Sequence, residues 1–112
     1  MPFINTNTNV EISKEKSLAL KAKLGKAIEI LGKSESWLMI SFEDKCTMYF
    51  KGEETPMAFV DISVFGKSTD AQCEEMTKAV CRIFKEELSI PADKLYVKYS
   101  GTTQWGWNNM NF

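Results

Sequence analysis

Hydrophobic residues recur with helical spacing in two segments of the chain. In the first segment these residues are Leu20, Leu24, Ala27, Ile28 and Leu31. In the second segment they are Cys73, Met76, Val80, Ile83, Phe84 and Leu88. Ser13 and the capping-box sequence Thr69-Asp70-Ala71-Gln72 precede the two segments, while Gly32 and Pro91 follow them. The pattern therefore predicts helices over residues 14–31 and 70–88.

Short runs with the composition of β-strands surround the two predicted helices. We expect strands over residues 2–8, 37–42, 57–65 and 95–99, and a further short piece over 48–50. The clearest alternation is in 57–65, where one face carries Ala58, Val60, Ile62 and Val64. The last segment, 101–112, is polar and rich in aromatic residues, and no element is predicted there.

The order of these elements is β-α-β followed by a second β-α-β. This order predicts an α+β fold, in which four strands form one sheet and two helices cover one of its faces as a two-layer sandwich. The 112 residues suit a single domain over 1–112. On the uncovered face, Phe59 and Phe65 would alternate with Asp61 and Ser63, a mixture too apolar for a solvated surface. Self-association is the simplest way to cover it.

Charge and composition exclude several functions. The 14 basic and 15 acidic side chains give a net charge of −1, which disfavours general nucleic-acid binding. The chain contains no histidine, so Ser-His-Asp triads, Cys-His dyads and imidazole-ligated metals are absent. No spacing of acidic residues and cysteines resembles a metal site. An enzyme with this composition must transfer protons through another group.

The cysteine pattern and the hydropathy predict a cytosolic protein. Cys46, Cys73 and Cys81 are odd in number and form no CxxC motif, which favours free thiols in a reducing compartment. No apolar run reaches the length of a membrane span, so we expect no membrane association. The first residues lack the basic and apolar regions of a signal peptide.

Pro2 is the strongest candidate for a catalytic base in a chain without histidine. A proline after the initiator methionine normally permits removal of Met1, which would leave a secondary amine at the chain start. An α-amino group has a pKa of about 7.7–8.0, and burial in an apolar site lowers it further. A neutral amine can remove a proton next to a carbonyl group. Proline at position 2 is also common without any catalytic role, so Pro2 alone does not establish this function.

Three other features suggest binding of a small anion or an aromatic group. Lys33 could hold a substrate carboxylate or an enolate oxygen, or it could simply complement the end of the first helix. The segment 65–68 could present backbone N–H groups close to the start of the second helix. The pair Trp105 and Trp107 suggests that the tail packs, either lining an aromatic pocket or sealing a subunit interface.

Several short motifs occur together in one order along the whole chain. They are Met1-Pro2, Asn7-Thr8-Asn9-Val10, Leu31-Gly32-Lys33, Phe65-Gly66-Lys67, Leu95-Tyr96-Val97-Lys98-Tyr99 and Gly106-Trp107-Asn108-Asn109. Through these motifs the chain resembles the macrophage migration inhibitory factor and D-dopachrome tautomerase family of the tautomerase superfamily. Each motif is weak alone, but the set is specific.

The resemblance implies an isomerase that needs no cofactor, acting as a phenylpyruvate tautomerase or L-dopachrome isomerase. The substrate would be a small aromatic α-keto acid or a dopachrome-like molecule, bound at the subunit interfaces of a homotrimer. Pro2 would be the catalytic base, with Lys33 and the backbone of Phe65 binding substrate from the same subunit. Tyr96 and Lys98 would come from the neighbouring subunit. The pocket would be lined by Phe3, Trp37, Trp107 and Phe112.

The resemblance also implies a role as a cytokine, exported without a signal peptide and bound by an immune cell-surface receptor. A receptor-binding protein with vestigial tautomerase activity is the alternative function. A decarboxylase or dehalogenase with the same proline base would need further polar groups to activate water, and the sequence offers no evident candidate. Two departures stand out: the family's CxxC is missing from residues 56–60, and Lys98 stands where Asn is usual.

Overall fold

Two β-α-β units follow each other along the chain, as predicted. The computed structural model describes all 112 residues. Its main elements are β1 (Pro2–Thr8), α1 (Lys14–Ala27), β2 (Met39–Glu43), β3 (Ala58–Phe65), α2 (Asp70–Leu88) and β4 (Leu95–Thr102). The tail adds a small hairpin of β5 (Gly106–Trp107) and β6 (Met110–Asn111). No helix combines the length and the hydrophobicity that a membrane crossing requires.

The four long strands form one mixed sheet in the order β2-β1-β3-β4. Within each β-α-β unit the two strands are parallel, as a helical crossover requires. The two units meet at the centre of the sheet, where β1 and β3 are antiparallel and Pro2 lies opposite Val64. This central pairing places the start of the chain beside the end of β3.

The core lies between the sheet and both helices. Alternate residues of β1 and β3 are buried, among them Ile4 and Ile62, which are fully inaccessible. They share one cluster with Leu24 of α1 and with Met76 and Phe84 of α2. Both helices therefore cover the same face of the sheet, which confirms the predicted α+β two-layer sandwich.

Local capping interactions explain where the helices begin. The Ser13 hydroxyl accepts a hydrogen bond from the Lys16 N–H at 3.1 Å and caps α1. At α2 the Thr69 hydroxyl accepts from the Gln72 N–H at 3.1 Å. The Gln72 side-chain oxygen accepts from the Thr69 N–H at 2.9 Å, which completes the capping box. The predicted range of α2 is therefore confirmed at both ends.

The predicted first helix needs a correction in its last turn. The α-helix ends at Ala27, and residues Ile28–Leu31 continue it as a 3₁₀ helix. Gly32 then adopts a left-handed conformation with φ of 73° and ends the segment. The apolar spacing does not reveal this change, because Ile28 and Leu31 remain buried in either geometry.

Two strand predictions were wrong or imprecise. Trp37 lies in a 3₁₀ turn, Glu35–Trp37, and β2 begins only at Met39. The Ser34 hydroxyl accepts from the Ser36 N–H and stabilises that turn. Residues 48–50 form no strand; Phe50 makes a single bridge to Glu53 across a tight turn. Phe50 packs against the Tyr96 ring instead of pairing in a sheet.

The C-terminal part is more ordered than the sequence predicts. β4 continues to Thr102, beyond the predicted end at Tyr99, because β3 runs beside it as far as Phe65. In the tail, Asn108 and Asn109 both have positive φ and connect β5 to β6. Asparagine tolerates this conformation better than most residues, so the pair suits a two-residue hairpin turn.

The second face of the sheet, which the helices do not cover, is called the open face below. Because side chains alternate along a strand, the open face carries the residues between the buried ones. On the two strands at its centre these are Phe3, Asn5, Asn7, Phe59, Asp61, Ser63 and Phe65, and on β4 they include Tyr96 and Lys98. The predicted mixture of aromatic and polar residues on this face is thus observed.

Candidate active site

The start of β1 lies beside Lys33 and the end of β3. Pro2 is buried and pairs with Val64, and the Phe65 N–H donates a hydrogen bond to the Met1 carbonyl at 3.0 Å. The Lys33 ammonium donates to the Phe65 carbonyl at 2.8 Å. The structure therefore brings together three of the predicted site residues, Pro2, Lys33 and Phe65.

The electrostatic environment at this point disfavours a protonated amine. Burial and, to a smaller extent, the positive charge of Lys33 lower the pKa of the Met1 amine below its ordinary value. Both effects destabilise the ammonium form, since it loses hydration and is repelled by a second cation. The Met1 amine is consequently neutral over a wider pH range than a free chain terminus.

An aromatic cluster lies next to this end of the sheet. The Phe112 ring packs against Phe65 with centroids 5.7 Å apart, and Trp107 stacks on Phe112 at 6.3 Å. Trp37 meets Trp107 edge-on at 5.0 Å. These rings bring Trp37, Trp107 and Phe112 to the Phe65 side of the site, and they hold the C-terminal hairpin against the rest of the chain.

Phe3 follows Pro2 in the chain but points in the opposite direction. Pro2 shares the core side of β1 with Ile4, whereas Phe3 lies on the open face between Ser63 and Met39. The alternation of side chains along β1 imposes this separation. Phe3 makes none of the ring contacts that join the aromatic cluster beside Phe65.

Tyr96 and Lys98 are far from Pro2 within one chain. They lie on the open face of β4, where Tyr96 pairs with Phe59 and Lys98 with Asp61. Phe59 precedes Val64 by five residues on β3, which corresponds to about 17 Å along an extended strand. Tyr96 therefore lies towards the other end of the sheet from Pro2, Lys98 lies nearer the middle, and both side chains are on the other face.

A second aromatic site surrounds Tyr96. A cavity of about 250 Å³ opens there, lined mainly by Met48, Tyr49, Phe50, Phe59, Leu95 and Tyr96. The Phe50 and Tyr96 rings meet edge-on at 5.1 Å. Sequence reasoning did not assign Phe50 to a site; its only signal was an aromatic residue within the short run 48–50. The two separate groups of candidate residues, one around Pro2 and one around Tyr96, are called the candidate half-sites below.

The remaining candidate groups are thiols. Cys46, Cys73 and Cys81 are all free. Burial raises the pKa of the Cys73 and Cys81 thiols, and the nearby charge of Asp70 adds to the effect at Cys73. These two thiols are therefore protonated at neutral pH and are poor nucleophiles. No group of three or more Cys, Asp or Glu side chains is arranged to hold a metal ion.

Comparison with known proteins agrees with this architecture. The chain is similar to macrophage migration inhibitory factor of Meriones unguiculatus, with 26% identity over 114 residues that cover 100% of this chain and 99% of the relative. Its structure is similar to Leishmania major MIF2, with a TM-score of 0.94, 34% identity and coverage of 100% and 97%. A homologue from Prochlorococcus marinus has a TM-score of 0.89 at 28% identity, covering 98% of both chains.

The family match covers almost the complete sequence. The family described as macrophage migration inhibitory factor (MIF) matches residues 1–111. The matched range includes both half-sites and both β-α-β units, which confirms the family resemblance drawn from the short motifs. The chain therefore belongs to the macrophage migration inhibitory factor family.

Proposed function

We propose that this protein is a keto–enol tautomerase that needs no cofactor and uses the Pro2 amine as its base. Its substrate class is a small aromatic α-keto acid such as phenylpyruvate, or a dopachrome-like molecule. The observation that carries the proposal is the convergence of Pro2, Lys33 and Phe65, beside which burial and Lys33 lower the pKa of the Met1 amine. Membership of the family supports the same isomerase chemistry.

The chemistry follows from the groups around the end of β1. After removal of Met1, the neutral Pro2 amine takes a proton from the carbon next to the keto carbonyl, and the electron pair of that C–H bond forms the enolate. Lys33 stabilises the negative charge that develops on the oxygen. Its ammonium has three donors, of which one bonds the Phe65 carbonyl. Transfer of the proton from the Pro2 ammonium to the enolate oxygen completes the reaction.

The aromatic cluster gives this site its substrate preference. Trp37 and Trp107 are about half exposed, as is Phe112, so their rings remain available to a ligand. Aromatic rings that stack on the phenyl group of a substrate would orient it and exclude water from the enolate. We assign substrate binding to these three side chains and to the Phe65 backbone.

We further propose that a neighbouring subunit completes the site. Tyr96 and Lys98 cannot reach Pro2 of their own chain, because their side chains lie on the other face of the sheet, beside Phe59 and Asp61. In a homotrimer of the kind that the family resemblance implies, the Tyr96 half-site of one subunit meets the Pro2 half-site of the next. This arrangement also covers apolar side chains on the open face, including Phe59.

Processing of the N-terminus provides the direct test of the proposed base. Protein that retains Met1 is expected to turn over phenylpyruvate at least about 100-fold more slowly than processed protein, because the Pro2 nitrogen is then an amide without basicity. Intact mass spectrometry assigns the two forms, and absorbance of the enol measures turnover. Comparable activity in both forms would exclude Pro2 as the base.

Replacement of Lys33 tests the electrostatic argument. In processed Lys33→Met protein, loss of the cation raises the pKa of the amine towards its ordinary value. The amine must be neutral to act, so activity falls as the pH drops through this pKa. The acidic limb of the kcat/KM profile is therefore expected to move to higher pH. Lys26→Met, an exposed change on α1, should leave the profile unchanged; an unmoved limb in Lys33→Met contradicts the assignment.

A further inference from the structure

Asp61 and Lys98 form an isolated charge pair on the open face. They are direct register partners on β3 and β4, and the Lys98 Nζ lies 3.9 Å from the Asp61 Oδ2. The other carboxylate oxygen, Oδ1, is buried and accepts no hydrogen bond. Lys98 is the ion-pair partner of this carboxylate.

The neighbouring polar groups do not satisfy Asp61. Asn5 is its register partner on β1, but the Asn5 amide donates instead to Asn7 at 3.3 Å and to Glu43 at 3.1 Å. A carboxylate oxygen that is buried without a hydrogen-bond partner has lost favourable hydration, and a nearby cation offsets this loss. The Asp61 side chain is 38% exposed, so water reaches part of it, and Lys98 is the one cation within ion-pair distance of the carboxylate.

The contact between the two charges is loose enough to be exchanged. A charge-assisted hydrogen bond has a length of about 2.7–2.9 Å, so the 3.9 Å separation is an electrostatic contact and not a short hydrogen bond. The Lys98 side chain is 59% exposed, and its flexible stem lets the ammonium move to another carboxylate nearby.

From this geometry we propose that Asp61 sets the affinity of the site for anionic substrates by competing with the substrate carboxylate for Lys98. The inference rests on the proposed function, in which Lys98 faces the substrate bound to the next subunit. A substrate carboxylate can recruit Lys98 only by drawing it away from Asp61, whose charge then loses its compensation. Asp61 is thus a residue that determines specificity through Lys98, and it weakens the binding of anions but not of neutral ligands.

Substitution of Asp61 by its nearly isosteric amide tests this competition. For Asp61→Asn we expect the KM for phenylpyruvate to fall about threefold, the size of effect typical of an exposed ion pair. The KM for the methyl ester of phenylpyruvate should not change, because the ester has no carboxylate. A structural disturbance at the site would alter the acid and the ester alike. Equal changes for the two substrates therefore overturn the proposal.

Two control variants separate a local effect from a general change of charge. Glu43→Gln removes the same charge from the open face, but on β2, at the opposite edge of the sheet from β4; it should leave the KM unchanged. In a Lys98→Met background, Asp61→Asn should have no further effect on the KM. A persistent effect without Lys98 means that Asp61 acts by another route, which contradicts the inference.

A binding measurement keeps this inference separate from the proposed function. Calorimetric titration of cinnamate, an aromatic carboxylate with no keto group to enolise, should show about threefold tighter binding to Asp61→Asn than to the unmodified protein. Its neutral amide should bind both equally. Tighter cinnamate binding without any phenylpyruvate turnover supports the inference and overturns the tautomerase. If phenylpyruvate is turned over but cinnamate binds Asp61→Asn and the unmodified protein with equal affinity, the inference is wrong and the proposed tautomerase activity is unaffected.

Discussion

Processed protein carrying Pro2→Gly is expected to lose about 10²–10³-fold in kcat/KM for phenylpyruvate, the contribution of a positioned general base. Glycine leaves a primary amine at the chain start, but the ring that prevents rotation about the N–Cα bond and fixes the direction of the nitrogen lone pair is lost. The amine then samples many orientations, and few of them face the α-proton. Steady-state assays on material with Met1 shown by mass spectrometry to be absent measure the effect.

A proline-to-glycine substitution outside the site is the control for the general effect of this replacement on activity and stability. Pro56→Gly makes the same chemical change at an exposed loop position before β3. It should keep activity within about twofold, while any loss of stability appears only in the unfolding midpoint. If Pro2→Gly retains full activity with its secondary structure and oligomeric state intact, the amine is not the base.

The same Pro2→Gly protein separates the enzymatic role from the receptor-binding role that the family resemblance implies. A receptor that contacts the outer surface of the assembly would meet the same surface in this variant, because Pro2 is buried. We expect the variant to bind macrophage-type cells as the unmodified protein does. Absence of saturable binding by both proteins at micromolar concentration would count against a cytokine function.

Mixed trimers of two inactive variants are expected to regain about a third of the full activity, since one of the three interfaces in any trimer that contains both variants has both intact partners. One variant is Pro2→Gly and the other is Tyr96→Ala. Where a Tyr96→Ala chain supplies Pro2 and a Pro2→Gly chain supplies Tyr96, the site is complete. Co-expression with two different affinity tags isolates the mixed assemblies for assay.

The control for the mixing experiment removes every intact base. Co-expression of Pro2→Gly with a Pro2→Gly/Tyr96→Ala double variant should give no recovery, although the surfaces that assemble are the same. Mixed assemblies confirmed by mass but without recovered activity would show that Tyr96 does not serve a neighbouring subunit. Activity that returns in the mixture of Pro2→Gly with Tyr96→Ala, but not in the control mixture, supports a site built from the two half-sites.

Much of the fold could be predicted because the signals are local. The range of α2 follows from its capping box, its helical spacing and Pro91, all within one stretch of chain. The alternation in 57–65 predicts which face of β3 is buried, and the structure confirms it. Trp37 was assigned to a strand because it heads an apolar run, but a hydroxyl-capped turn and a contact with Trp107 determine its position.

The candidate site was only partly accessible to sequence reasoning. Because the chain has no histidine, the sequence indicates Pro2 as the candidate base, and the family motifs connect Pro2 to Lys33 and Phe65. The separation of Tyr96 and Lys98 from Pro2 depends on which strands pair, and in which direction. No local sequence pattern indicates that β1 and β3 pair antiparallel while β3 and β4 pair parallel.

The sequence by itself determined the β-α-β repeat, the buried faces and the identity of the candidate base, because these depend on periodicity, capping and composition. Only the tertiary structure revealed that Pro2 and Tyr96 lie on different faces of the sheet and that Asp61 pairs with Lys98. These residues are more than thirty positions apart in the chain. Their proximity arises from strand register, which the packing of the whole core determines and no single segment encodes.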